Sequence, residues 1–428
     1  ATRRGCPVRR SWTEAGTGLA LALALTSCGG GGKDAAHTPS PQPTARAAPA
    51  PRPPSDVEQL DRLLHARAAA LQRGDARAYA ATAAATRPAQ RARDRAAARH
   101  ARGLGLSDVA YSVTGIDQRP GRATMDVRAM YAVRGVPGRF TSERGLTAVR
   151  TPAGWRIARE TVRRERHPWE LGAVARRRSA HFLIFGPPAL AGDPALTGAL
   201  EQGRFALRAA LPGRRLPRRL LVLVAPTARD AGRLTRGIRG VARLAAITDS
   251  RVREAGAERR AAEVVSQRLL VVWPVFGALD AQERDRIVTH ELTHAALAGT
   301  TSGRTPAWLI EGFALYTSGD RRVEQAAEEL REPDPPTLRA LARPDGIART
   351  SATRQTGSYA YASAAAFYLA ERFGPRAALR LYAAFNDPAI RGGAGARTTD
   401  RAMRAALGIS LARFERGLRR WIADRAAP

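Results

Sequence analysis

Cysteine is scarce: Cys6 and Cys28 are the only two in 428 residues. Cys6 falls in a leader-like segment, so the mature chain is expected to hold no disulfide and no thiolate metal ligand. Its domains must then be stable through their cores alone. Long apolar runs are also missing. The longest, such as "LALALAL" from Leu19 to Leu25, are far short of the roughly 20 apolar residues that span a bilayer. Lysine is nearly absent, with Lys33 the only one, and such a bias toward arginine beside so much alanine reads as a GC-rich coding bias rather than selection for a partner. Acidic residues number 38 against 70 basic ones, for a formal charge of +32. That balance permits contact with anionic lipid or nucleic acid without proving either. Aromatic residues do not interleave with the arginines, so Arg91, Arg95 and Arg99 and the run Arg176 to Arg178 read as solvated basic faces and argue against a nucleic-acid partner.

The chain is long enough for two or three domains, and 44% hydrophobic residues indicate globular ones. Arg3, Arg4, Arg9 and Arg10 precede the short apolar run, so residues 1–27 are expected to be a signal peptide. The run ends in Leu25-Thr26-Ser27-Cys28, which resembles the lipobox of bacterial lipoproteins. That resemblance implies cleavage before Cys28, lipidation of its thiol, and an exported protein anchored to the outer face of the cytoplasmic membrane. Residues 28–55 are largely Gly, Pro, Ala, Ser and Thr and read as a disordered tether.

A first domain is expected over 56–165. Val57, Leu60, Leu64 and Leu71 form one helical stripe, broken at Gly74-Asp75. After a second, alanine-rich helix come four strand-like segments separated by turns such as Arg119-Pro120-Gly121 and Val136-Pro137-Gly138. This order of elements, with "RGDARAY" and "GWRIA", resembles the cone-shaped nuclear-transport-factor-2-like α+β domain. No catalytic constellation is visible in it, and its expected role is to support its neighbour. Charge density rises over 163–179, which reads as a connector. The second domain, 175–428, opens with "HFLIFG", a helix, and the buried-looking strands "LLVLVAP" and "QRLLVVWPVF". From Ala281 onward the pattern is mainly helical. The expected fold class is α+β throughout.

Chemistry concentrates in "IVTHELTHAALAG". His290 and His294 are four residues apart, so on a helix they lie about 40° apart and can grip one ion. Glu291 sits about 100° round, within reach of a water on that ion but not placed as a co-ligand. Asp280 and Glu283 make a capping-box pattern ahead of this helix. Further on, Thr305-Pro306 read as N-cap and first residue of a second helix, "AWLIEGFALYTSG". There Glu311 stands among apolar neighbours, a costly place for a carboxylate unless a cation pairs with it. Two histidines and a glutamate are the donor set of a catalytic zinc site with one position left open.

"HELTH" followed by "WLIEGFA" resembles the gluzincin metallopeptidases, particularly the compact peptidase-MA-like group. Sixteen residues intervene between His294 and Glu311, a slightly shorter spacing than the family's. The resemblance implies one Zn2+ held by His290, His294 and Glu311, with Glu291 as general base toward a peptide or protein substrate. It also implies a tyrosine that steadies the oxyanion, opening a helix backed by small residues. In "GSYAYASAAAFYLAERFGP" that position falls on Tyr361, with Tyr359 as the alternative. If both are helical they lie about 200° apart, so only one can face the metal. The Gly-x-Met-Glu-Asn signature of gluzincin aminopeptidases is absent, which points to endopeptidase action. A catalytically inactive metal-binding envelope protein, acting as a binding or scaffold module, is the alternative. "RGGAGARTT" lacks the phosphate-loop pattern. His37, His65, His100, His167 and His181 show no ligand spacing.

Overall fold

A serine-capped helix opens the described part of the chain. The computed structural model describes residues 54–426 other than 215, 236, 237, 239 and 254–262. The leader, Cys28 and the tether up to residue 53 lie outside them. Ser55 and Glu58 form a reciprocal capping box on helix Asp56–Arg73, which ends at Gly74 with φ 67°. Glycine reaches that left-handed conformation without a Cβ penalty. Asp75 then caps helix Ala76–Ala81, and helix Pro88–Ala101 follows. Leu60, Leu64 and Leu71 of the expected stripe are buried. Val57, in the first turn, is 60% exposed, so the packed stripe begins at Leu60.

The four expected strands are β1 (Leu106–Arg119), β2 (Arg122–Val133), β3 (Val136–Thr151) and β4 (Gly154–Val162), each antiparallel to the next. Five more follow: β5 (Ala175–Arg178), β6 (Phe182–Gly186), β7 (Leu220–Ala225), β8 (Ala246–Arg253) and β9 (Glu263–Val272). β6, β7 and β9 run parallel, while β5 and β8 pair antiparallel with β6 and β9. β3 touches β9 at Gly138 opposite Ser266, which joins all nine strands into one open mixed sheet. Gly138 has φ 92°, and a Cβ there would lie 2.2 Å from the Val265 carbonyl oxygen, so the crossing requires glycine. The fold is α+β, as the element pattern predicts.

Two strands have no counterpart in the sequence reading. β5 is an arginine run within the charged connector, and β8 is polar and half-buried along most of its length. Neither shows the apolar alternation that marks a strand, because each pairs on one side only and buries little.

The segment between β4 and β5 is held tightly. Glu165, His167 and Trp169 are buried in it. Glu165 forms ion pairs with Arg268 (2.7 Å) of β9 and Arg251 (3.1 Å) of β8. Arg144 of β3 bonds Glu170 and donates to His167 Nδ1 at 3.0 Å. Burial, then the Arg144 charge, holds the His167 pKa well below the usual histidine value, so the ring stays a neutral acceptor. Arg67, wholly inaccessible, bonds Asp94 of helix Pro88–Ala101 and Glu160 of β4. Buried charges persist only when paired in this way. The apolar core is shared too. One cluster runs from Leu71, Leu106 and Tyr131 to Leu183, Leu221 and Leu270 on one face of the mixed sheet. The opposite face packs against the helical half.

Three helices of that half carry the residues singled out in the sequence: the motif helix (Ala281–Leu297), the glutamate helix (Ala307–Thr317) and the tyrosine helix (Ala352–Phe373). The motif helix carries the expected Asp280/Glu283 capping box. The glutamate helix starts one residue later than Thr305-Pro306 predicts. Pro306 is the N-cap, and the Thr305 hydroxyl accepts from Ser302 N–H rather than capping. Gly374 ends the tyrosine helix and Pro375 opens the next. Among the described residues no helix is long and apolar enough to cross a membrane.

Gly312 sets the distance between the glutamate and tyrosine helices. A Cβ there would lie 2.1 Å from the Ala362 carbonyl oxygen and 3.3 Å from Ala366 Cβ. Gly312→Ala is therefore expected to push the helices apart at a cost of roughly 1–3 kcal/mol. Thermal unfolding should register this as a fall of several degrees, at about 2–4 °C per kcal/mol. An unchanged midpoint would show that the helix pair tolerates the methyl group.

Candidate metal centre

The motif helix presents His290 and His294 from successive turns, their rings edge to face with centroids 4.7 Å apart. Both turn Nε2 to one point, 3.1 Å from each other. Glu311 Oε2 arrives from the glutamate helix, 3.5 Å from His290 Nε2 and 3.6 Å from His294 Nε2. The Thr293 hydroxyl ties the two helices together, 2.6 Å from that of Thr317. Donors about 2.1 Å from one ion at tetrahedral angles stand about 3.4 Å apart. All three separations lie close to that value, so the residues fit a small divalent cation. Among the described residues this is the one group of His, Cys, Asp or Glu arranged to hold an ion.

Electrostatics agree with the geometry. Burial alone would lower the His294 pKa; the charge and hydrogen bond of Glu311, with help from Glu291, outweigh it and raise it to about 9. Burial works to raise the Glu311 pKa, yet His294 and His290 hold it far below the usual carboxylate range. Without a metal, a proton on His294 stands where a cation would. Cation binding must displace that proton, so affinity should rise about tenfold per pH unit between pH 7 and about 9. Metal titrations at pH 6.5, 7.5 and 8.5 check this, and a flat profile would refute it. In the metal-free fold the pairing of His294 with Glu311 contributes stability. Its contribution is complete below the ordinary histidine value of 6.5 and is lost as pH rises through about 9.

Glu291, only 8% exposed, lies beside the triad. β8 positions it: Thr248 N–H donates to Glu291 Oε2 at 2.7 Å, and the Thr248 hydroxyl donates to the Glu291 carbonyl, also at 2.7 Å. Nothing in the local sequence marks Thr248, because β8 lacks a strand pattern and its pairing with Glu291 joins separate elements. A cavity of about 540 Å³ opens over the triad, lined on one side by Ala246, Ile247 and Thr248 of β8. Its far wall holds Tyr359 and Arg322, the latter braced by Asp320 at 2.6 Å.

The structure places the two candidate tyrosines differently. Tyr361 is wholly buried, and its hydroxyl donates to Glu415 Oε1 of helix Leu411–Ala426 at 3.2 Å, away from the triad. Tyr359 is the tyrosine that lines the cavity. Burial, then Glu311 and Glu291, pushes its pKa up, so it stays a neutral phenol donor across the working pH range. The two residues lie on opposite sides of one helix, and the Gly312–Ala362 contact fixes which side faces the glutamate helix.

A larger cavity, about 1090 Å³, lies over the glycine-rich stretch before helix Ala396–Leu407. Its lining mixes Arg339, Arg397 and Arg401 with Asp400 and Glu415 and contains no histidine, cysteine or serine. The remaining described histidines are engaged elsewhere or exposed: His100 with the Trp169 carbonyl, His181 with Glu201, His167 in the arginine network, His65 on the surface. No protein-family model matches this chain, and a search of curated proteins finds no significant match either.

Proposed function

We propose that this chain is a zinc-dependent peptidase of the gluzincin type, peptidase-MA-like, acting as an endopeptidase on peptides or proteins. The observation that carries the proposal is the convergence of two imidazole nitrogens and one carboxylate oxygen at ion-binding separations, with a second carboxylate beside them. His290, His294 and Glu311 would hold the ion. Bound there, a zinc ion supplies Lewis-acid chemistry, making a water acidic near neutral pH and polarising a carbonyl. Glu291 takes the proton of the attacking water and delivers it to the leaving amine. The Thr248 amide holds one oxygen of Glu291, which leaves the other free for that transfer. Tyr359 donates its phenol hydrogen to the developing oxyanion. The apolar walls contributed by Ala246, Ile247 and Leu315 exclude bulk water and strengthen these interactions. Export and lipid attachment at Cys28 complete the proposal, with 56–165 as a nuclear-transport-factor-2-like support.

The test is digestion of a broad peptide library by the zinc-loaded protein, with and without a chelator. Cleavage should disappear with the metal and return on its restoration. Tyr359→Phe should lose about 10²- to 10³-fold in turnover, the range for one oxyanion donor. Tyr361→Phe should stay near wild type. Bound metal without any cleavage would return the chain to the binding-module reading.

A further inference from the structure

A second feature, remote in chemistry from the triad, lies on the outer strand of the sheet. β5 ends the sheet on one side, and its arginines alternate between faces. Arg177 turns toward Gly192, while Arg176 turns to the turn around Gly105. Gly105 accepts from Arg134 N–H at 2.9 Å. A Cβ at Gly105 would lie 3.7 Å from the Arg176 guanidinium carbon and 3.9 Å from Arg134 Cβ. One residue along, a Cβ at Gly135 would lie 3.0 Å from Arg219 Nη1. Both glycines have positive φ, 74° and 86°, and leave room beside two neighbouring turns for the guanidinium groups of Arg176 and Arg219. Arg219 Nε is buried without a hydrogen-bond partner among the described residues. Its own burial, then the charges of Arg178, Arg218 and Arg176, press its pKa below the usual arginine value.

The rest of the fold treats inward-facing arginine differently. Arg67, Arg144 and Arg268 each meet a carboxylate within 3 Å. Here Arg176 and Arg219 reach two neighbouring turns, the charges of Arg178 and Arg218 act on Arg219, and Arg134 stands at the same turns; four of the five are exposed, and among the described residues none has a carboxylate partner. Guanidinium groups set side by side repel one another unless an anion lies between them. Their planar forks match the oxygens of a phosphate. An edge strand and two turns present them outward to a surface rather than around an enclosed molecule.

We propose that Arg134, Arg176, Arg178, Arg218 and Arg219 form a docking patch for the phosphodiester headgroups of anionic lipid. Charge complementarity favours that partner, and the lipid attachment expected at Cys28 would keep the patch near such headgroups. The patch is independent of the hydrolytic reading.

Co-sedimentation of the purified chain with phosphatidylglycerol-containing vesicles, against pure phosphatidylcholine vesicles, tests it. The neutral vesicles give the background from any attached lipid. The anionic excess should fall steeply between about 50 and 200 mM salt. Each arginine at an anionic surface is worth about fivefold in binding. Arg176→Gln/Arg178→Gln/Arg218→Gln should therefore lose about a hundredfold. All three side chains are exposed, which spares the fold. A control with the same charge change, Arg413→Gln/Arg416→Gln/Arg420→Gln on helix Leu411–Ala426, should lose less than about fivefold. Equal losses in the two variants would overturn the proposal, as would no preference of the wild type for anionic vesicles. Thermal stabilisation by inorganic phosphate without vesicle binding would place the source in free phosphate and overturn the lipid docking. Tighter binding to a short DNA duplex than to the vesicles would overturn it in favour of nucleic acid.

Discussion

Glu291→Gln is expected to cut peptide hydrolysis by about a hundredfold to ten-thousandfold, the range supplied by a general base. Bound metal should stay near one equivalent. Glutamine keeps the shape of the side chain and can still accept from the Thr248 amide, which now meets Glu291 Oε2 at 2.7 Å. It cannot take a proton from water. Glu291 is not one of the three converging donors, so the substitution leaves His290, His294 and Glu311 intact. Turnover and elemental analysis on the same preparation separate the two effects. Full activity in the glutamine variant would remove Glu291 from the chemistry, and loss of metal would make it a structural element of the site.

His294→Ala is expected to strip the metal. Two donors remain, His290 Nε2 and Glu311 Oε2, 3.5 Å apart. Their hold should weaken by well over the roughly 10- to 100-fold that loss of an outer supporting group costs a metal site. The substitution also takes from Glu311 the partner that contributes most to holding its carboxylate ionised. A half-buried carboxylate without that partner destabilises the local fold, since its desolvation is no longer offset. Elemental analysis should find less than about a tenth of an equivalent after dialysis, given the affinity loss above. Circular dichroism should still show the folded chain. Equal metal in wild type and variant would overturn the triad, whatever the activity.

Much of this site is legible in the residues themselves. A four-residue spacing places His290 and His294 on one face of any helix, and Asp280 with Glu283 marks where that helix begins. Glu311 stands out because a carboxylate among Trp308, Leu309, Ile310 and Phe313 is costly to bury unless a cation pairs with it. The elements that escape notice share a property: they bury little of their own surface. β5 is a run of arginines and β8 a string of half-buried polar residues, so neither carries the alternation that identifies a strand. Thr305 looks like a cap by type, but its hydroxyl serves the preceding turn. The connector is marked only by its charge, yet Glu165, His167 and Glu170 are drawn inside by Arg268, Arg251 and Arg144.

The sequence by itself determined which donors exist, the helical face that carries the two imidazoles, and the α+β character. Those follow from the 3.6-residue repeat, capping chemistry and apolar patterning, all of which act within one element. Tertiary structure alone decided that Tyr359 rather than Tyr361 enters the cavity, that a β8 amide holds Glu291, and that Glu311 reaches the histidines. Such choices depend on how separate elements pack, as at Gly312 against Ala362. The periodicity of a single helix is indifferent to which of its sides a neighbour will cover.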